Sequence, residues 1–187
     1  LSSRRNRYIG NPNQIRLVHI DLTDLAKKLC EVHKLTGLVA AGYSEALLAA
    51  SLLSSCFKVG SRLNLTIKSG GIISQAVFDA RPEGEVRGFV VKGQGTVLWL
   101  GGYISILLAQ EFEGHRPYTG VVELSGYDLD EALNSYWKKS AQVTSKMGML
   151  VKLENKNPAL VCGTIVQVLG GASAAENEMV EGLSQED

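Results

Sequence analysis

A chain of 187 residues is long enough for one substantial hydrophobic core, and a single domain is the default. With 45% hydrophobic and 20% charged residues and only 4 prolines, the composition excludes an intrinsically disordered chain. Nineteen basic residues against 19 acidic ones leave a formal net charge of zero, which argues against a module held to nucleic acid by bulk phosphate neutralisation and leaves self-association allowed.

Taken in chain order, residues 1–13 read as a tail ending at Gly10, Asn11 and Pro12. Residues 14–20 show partial alternation and predict a short strand with Ile15, Leu17 and His19 on one side. The period then changes. Leu22, Leu25, Ala26, Leu29, Val32 and His33 repeat at helical spacing, with Asp21 or Thr23 as the cap and Gly37 as the stop. Residues 38–57 are rich in Ala and Leu on nearly every face, so they predict a central helix covered on more than one side. Glu45 and the interspersed serines argue for a buried helix rather than a membrane span.

From Arg62 the period is two. Leu63, Leu65 and Ile67 alternate with polar residues, a turn at 69–71 leads to a second strand over 72–79, and residues 81–84 turn into a third over 85–91. Gly88 inside that third strand predicts a bulge or a close backbone approach. Residues 96–100 could form a strand, and the continuous apolar run 103–112 fits a strand or a short helix equally. A strand over 117–124 precedes a capping pattern at Ser125 and Asp128 and a helix whose buried face is Leu129, Ala132, Leu133, Tyr136 and Trp137. On that helix Asp130, Glu131, Lys138 and Lys139 are expected to face water. A hairpin over 149–169 and a weak helix over 172–183 complete the chain. The expected fold is α+β, with antiparallel β-sheets packed around a central helical layer in a single domain.

Catalytic and metal chemistry leave little trace. None of the 3 histidines has a His or Cys partner at metal-ligand spacing, so no metal or other cofactor is expected. Cys30, Cys56 and Cys162 are widely spaced and read as buried thiols. The i,i+3 pair Cys30–His33 is the one arrangement that could support a nucleophile, at a spacing common by chance. No catalytic residue is expected, and a binding or assembly role remains.

Four segments carry a family resemblance: 14–25 (QIRLVHIDLTDL), 69–90 (SGGIISQAVFDARPEGEVRGFV), 117–143 (PYTGVVELSGYDLDEALNSYWKKSAQV) and 160–172 (LVCGTIVQVLGGA). In this order they resemble the N-terminal domain of the redox-regulated 33 kDa chaperonin, or heat shock protein 33, family. The resemblance implies an ATP-independent holdase that binds unfolding client proteins under oxidative and heat stress, often as a homodimer. The balanced charge and the lack of a span-like window leave no nucleic-acid or membrane partner expected, and the expected location is cytoplasmic; a mitochondrial or plastid one is the alternative if the basic N-terminus is the remnant of a transit peptide. In the family, zinc belongs to a C-terminal module with four cysteines in paired motifs. Cys30, Cys56 and Cys162 do not match those motifs and inherit no role from them. The expected organisation is therefore a tail over 1–13, a client-binding core over 14–171 and the start of a linker helix over 172–187, without the zinc module. The candidate client surface is Leu63, Leu65, Ile67, Val77, Phe89 and Val91, or the nearby edge at Trp99. A dimerisation scaffold and a small Cys30–His33 enzyme are the competing readings.

Overall fold

The computed structural model describes residues 4–10, 14–110, 118–124, 128–138, 143–170 and 173–183. Its elements are β1 (Arg4–Ile9), β2 (Ile15–Asp21), α1 (Thr23–Val32), α2 (Gly37–Ser54), β3 (Ser61–Ser69), β4 (Ile73–Ala80), β5 (Val86–Lys92), β6 (Gly102–Gln110), β7 (Tyr118–Glu123), α3 (Leu129–Tyr136), β8 (Ser145–Glu154), β9 (Asn157–Val168) and α4 (Ala174–Glu181). The strands form two antiparallel sheets, one of order β1-β2-β9-β8 and the other β5-β4-β3-β6-β7. Helix α2 touches strands of both sheets, which makes it the central layer of the α+β fold.

The sequence of α2 explains that position. Ala40, Ala46, Leu47, Leu48, Ala49, Ala50, Leu52 and Leu53 are all buried, so most of the helix is withheld from water and only its first turn, at Leu38, leaves a large apolar side chain exposed. Its length and composition would also suit a membrane span, but 72% of that window is buried inside the fold. Serine is tolerated there because each hydroxyl has a backbone acceptor: Ser44 donates to the Ala40 carbonyl at 2.7 Å and Ser51 to the Leu47 carbonyl at 2.8 Å. Gly42 keeps the helix close to its neighbours, since a Cβ would lie 2.4 Å from Ile73 Cδ1 and 2.5 Å from Leu98 Cδ1.

Several expectations are corrected. Residues 4–9 are not tail but strand β1, paired with β2 from Arg4↔Asp21 to Ile9↔Arg16. Its basic residues deny the strand an apolar stripe, and one of them, Arg5, joins Arg16 of β2 in holding the end of α2. That helix has no basic residue in its last turn, and the guanidinium of Arg5 donates to the Ser55 carbonyl at 3.4 Å while Arg16 donates to that of Cys56 at 3.1 Å. Gly37 does not stop α1; with φ of +61° it is the first residue of α2. Helix α1 ends instead through His33 and Lys34, the latter at φ of 52°. Asp21 does serve its start, accepting from the Thr23 amide at 2.9 Å.

The run 103–112 resolves as a strand through Gln110, because β6 pairs with β3 along its whole length. Residues 96–100 form no strand. They belong to a strap, 93–101, laid against the β3–β4 turn by hydrogen bonds from Ile72 N to Val97 O (2.7 Å), Gly70 N to Leu100 O (2.8 Å) and Gly93 N to Ile72 O (2.6 Å). Gly71 makes this approach feasible, since a Cβ there would fall 2.3 Å from the Leu98 carbonyl oxygen. The strap buries Trp99, whose indole N–H donates to Glu45 on α2 at 2.8 Å.

In α3, Leu129, Ala132, Leu133, Tyr136 and Trp137 are buried as their spacing predicts. Asp128 is the cap, accepting from the Glu131 amide at 3.1 Å; Ser125 and Lys139 lie outside the described residues. Asp130, expected in water, is buried because its carboxylate accepts the Met149 amide of β8 at 2.7 Å.

Candidate functional site

Strand alternation decides what the five-stranded sheet offers to solvent. Leu63, Leu65 and Ile67 of β3 point inward and are at most 1% exposed, as is Trp99 in the strap. Those four cannot belong to a client surface: they are core, because the apolar phase of β3 faces α2. Val77, Phe89 and Val91 lie on the opposite face and do come together. Register places Val77 beside Phe89, and Val91 beside Gln75 one step along β4. Phe89 is 52% exposed and Val91 44%.

The same register adds residues that sequence reasoning missed. Val77 pairs with Thr66, Thr66 with Ser105 and Ser105 with Val121, so one row crosses the whole outer face from Phe89 to Val121. Tyr103 and Leu107 share the Val121 side of that face, and all three are exposed. The unbroken apolar run of β6 conceals which of its residues point outward, so alternation alone could not have found them. The outer face therefore has two apolar flanks, Val77–Phe89–Val91 and Tyr103–Leu107–Val121. Between them runs a polar β3 stripe of Arg62, Asn64, Thr66 and Lys68.

The stripe is electrostatically ordered. Asp79 receives Arg62 at 2.7 Å, Asn64 at 2.9 Å and Arg87 at 3.2 Å. Partial burial would raise its pKa, but the hydrogen bonds from Asn64 and Arg62, with the Arg62 charge, hold the carboxyl below the usual range. Lys68 lies 5.8 Å from the centroid of the Tyr103 ring, a geometry for a modest cation–π contact. Gly88 brings β5 close over Phe78, where a Cβ would fall 2.2 Å from ring carbon Cδ1. Beside this edge lies an open groove of about 410 Å³ lined by Leu29, His33, Tyr43, Val86 and Phe89 among others.

The thiols present no activated nucleophile. Cys30 is buried, with its sulfur 3.9 Å from the Ala40 carbonyl oxygen, and burial pushes its pKa up. His33 is exposed and its ring stands against Tyr43 at 5.8 Å, so no hydrogen-bonded Cys30–His33 dyad forms. Burial pushes Cys56 up to about 11 and also raises Cys162. Among the described residues no three His, Cys, Asp or Glu side chains gather as a metal site.

A sheet–helix–sheet α+β domain with a broad, apolar-flanked β face is suited to holding a surface rather than enclosing a small substrate. The profile of the Hsp33 protein family matches residues 4–186, and this chain belongs to that family. Similar proteins include the 33 kDa chaperonin of Pelobacter propionicus, 26% identical over 178 residues, or 89% of this chain and 59% of that one. That of Prochlorococcus marinus subsp. pastoris is 30% identical over 177 residues, covering 83% and 57%. The chain thus spans less than two thirds of these curated relatives. The solved structure of the 33 kDa chaperonin (heat shock protein 33 homolog) of Thermotoga maritima shares the fold. Its TM-score is 0.82 at 18% identity, over 95% of this chain and 67% of that one.

Proposed function

We propose that this domain is an ATP-independent holdase that binds unfolding proteins through the outer face of the five-stranded sheet. The observation that carries the reading is the exposure of Phe89 and Val91 beside Val77, on a strand that is also a sheet edge. An unfolding client offers apolar side chains and unpaired backbone together. A flank of this kind can take the side chains, and edge strand β5 can take the backbone as an added strand. The polar stripe limits the apolar area, which favours weak, reversible capture over aggregation. Redox control would belong to a zinc-binding module outside these residues.

The test is light scattering by a thermally unfolding model protein, with this chain added at rising molar ratio and no ATP, under reducing and then oxidising conditions. Suppression in both supports a holdase that does not depend on its own thiols. Absence of suppression in both overturns the reading in favour of a dimerisation scaffold, which sedimentation of the chain alone would then reveal as a stable dimer.

A further inference from the structure

The strap over 93–101 closes an open cleft of about 340 Å³ whose lining is unusual. Leu98, Met149, Leu150 and Val151 supply apolar walls, and Glu45, Asp128 and Asp130 supply three carboxyls, with no lysine or arginine among the lining residues. Glu45 enters from α2 and holds the Trp99 indole; Asp130 enters from α3 and holds the Met149 amide. Asp128, at the mouth, is occupied in capping α3. The basic side chains on adjoining elements are placed elsewhere: Lys68 stands over Tyr103 on the outer face, Lys92 and Lys152 are exposed, and Lys138 and Lys146 line a separate cleft beside Glu131. A half-buried acid and a buried one thus line the same seam, and among its described lining residues there is no lysine or arginine to neutralise them.

We propose that Glu45 and Asp130 act as a proton-loaded latch on the strap, shutting the seam when both carboxyls carry protons and loosening it, so that Trp99 leaves its pocket, when both are ionised. The strap is well placed to respond. It is tied to the β3–β4 turn by a few backbone bonds, and to α2 by the indole hydrogen bond and by Leu98 packed over Gly42. A neutral carboxyl can still accept from the indole or the amide, so protonation keeps both contacts while removing the repulsion across the seam.

Burial, followed by the neighbouring carboxylate charges, pushes Glu45 up to about 7 against the hydrogen bond from Trp99. Burial likewise pushes Asp130 up to about 7, against the Met149 amide and with the help of Asp128. In the opened seam both return to ordinary values near 4.5 and 3.8. A raised carboxyl pKa means that the closed form binds more protons. The latch is therefore fully set below the ordinary values, is lost as pH climbs through 7, and levels off about one pH unit above that. Each carboxyl makes opening a few tens of fold easier between pH 5 and pH 7, and the two together roughly a thousandfold. The latch stands whether or not the chain is a holdase, but it uncovers Leu98, Trp99 and the Met149–Val151 wall near neutral pH, where a holdase would use them.

The experiment is amide hydrogen exchange on the full chain from pH 5 to pH 8, corrected for intrinsic rates and read at Gly70, Ile72, Gly93 and Leu100. In the wild type, protection at these amides is expected to fall about a thousandfold by pH 7 and to level off near pH 8, while amides of β9, and those of β8 other than Met149, stay flat. Glu45→Gln and Asp130→Asn each keep an acceptor and should each remove about half of that logarithmic slope; the double variant should be flat. A flat wild-type profile, or a double variant with the wild-type slope, overturns the latch. If the double variant does not fold, carboxyl carbon shifts in the wild type decide: titration of both groups near their ordinary values overturns the proposal, and titration near 7 sustains it. None of these readouts involves a client, so failure of the latch is separable from failure of the holdase reading.

Discussion

Replacing Leu65 and Phe89 in parallel tests which phase of the sheet is core and which is surface. Leu65 lies on the central strand, flanked by β4 and β6 and wholly buried in the layer against α2. Leu65→Ala removes a buried isobutyl group's contacts and leaves a cavity that a strand bonded on both sides cannot collapse, at a cost of about 3 kcal/mol. For a domain of this size that lowers the melting midpoint by roughly 6–12 °C. Phe89 is 52% exposed on the edge strand, so Phe89→Ala forfeits only part of its burial and costs about 1 kcal/mol. In scattering assays run below both melting midpoints the order reverses: Phe89→Ala loses client protection at least severalfold, and Leu65→Ala keeps it. Thermal denaturation followed by circular dichroism, together with the scattering assay on the same preparations, measures both quantities. If Phe89→Ala proves the more destabilising, or Leu65→Ala the more damaging to client protection at equal folded fraction, then the facing of the sheet is wrong and the proposed surface falls with it.

Gly88→Val should cost more than about 2 kcal/mol, because its Cβ would enter the Phe78 ring and the Val77 carbonyl oxygen lies only 2.5 Å away; a melting curve unchanged from wild type would contradict the packing of β5 over β4. Arg5→Ala with Arg16→Ala removes the side chains that satisfy the Ser55 and Cys56 carbonyls, for a loss of about 2 kcal/mol. Hydrogen exchange should then show protection lost first in β1, and uniform loss across both sheets would refute the clasp. With burial raising all three thiols, none of Cys30, Cys56 or Cys162 should alkylate at pH 7 faster than free cysteine. A hyper-reactive Cys30 in mass-spectrometric kinetics would revive the enzyme reading.

Much of this architecture is legible in the sequence because the dominant forces act locally. The switch from period 3.6 to period 2 at Arg62 reports a helix giving way to a half-wet strand, and the β5-β4-β3 meander follows from its short turns. What escapes is set by partners distant in the chain. Strand β1 carries no apolar stripe, and its Arg5 answers to the end of a helix some fifty residues away. Asp130 looks like a solvent-facing acid until β8 supplies the amide it accepts. The candidate surface is half legible: alternation separates Leu65 from Thr66 but does not say which neighbour's outward residues complete the face, and that depends on β6 crossing back to pair with β3. Trp99 illustrates the same limit, since an aromatic in an irregular segment is core or surface according to what lies beneath it.

The two sheets differ in how the chain assembles them. The β3–β7 sheet draws on one continuous stretch, so even its longest pairing, Ser61 with Gln110, lies within that stretch and can form as it emerges during synthesis. The other sheet joins the first strands to nearly the last: β2 pairs with β9, and Thr23 accepts from the Val161 amide across 138 residues. Until β9 arrives, β2 has only β1 beside it and the apolar underside of α2 has no permanent cover, and closing that long loop carries the largest entropic cost among the strand pairings. The nascent domain passes through a stage in which it resembles its own proposed clients, an incomplete sheet with an unpaired edge beside an apolar helix.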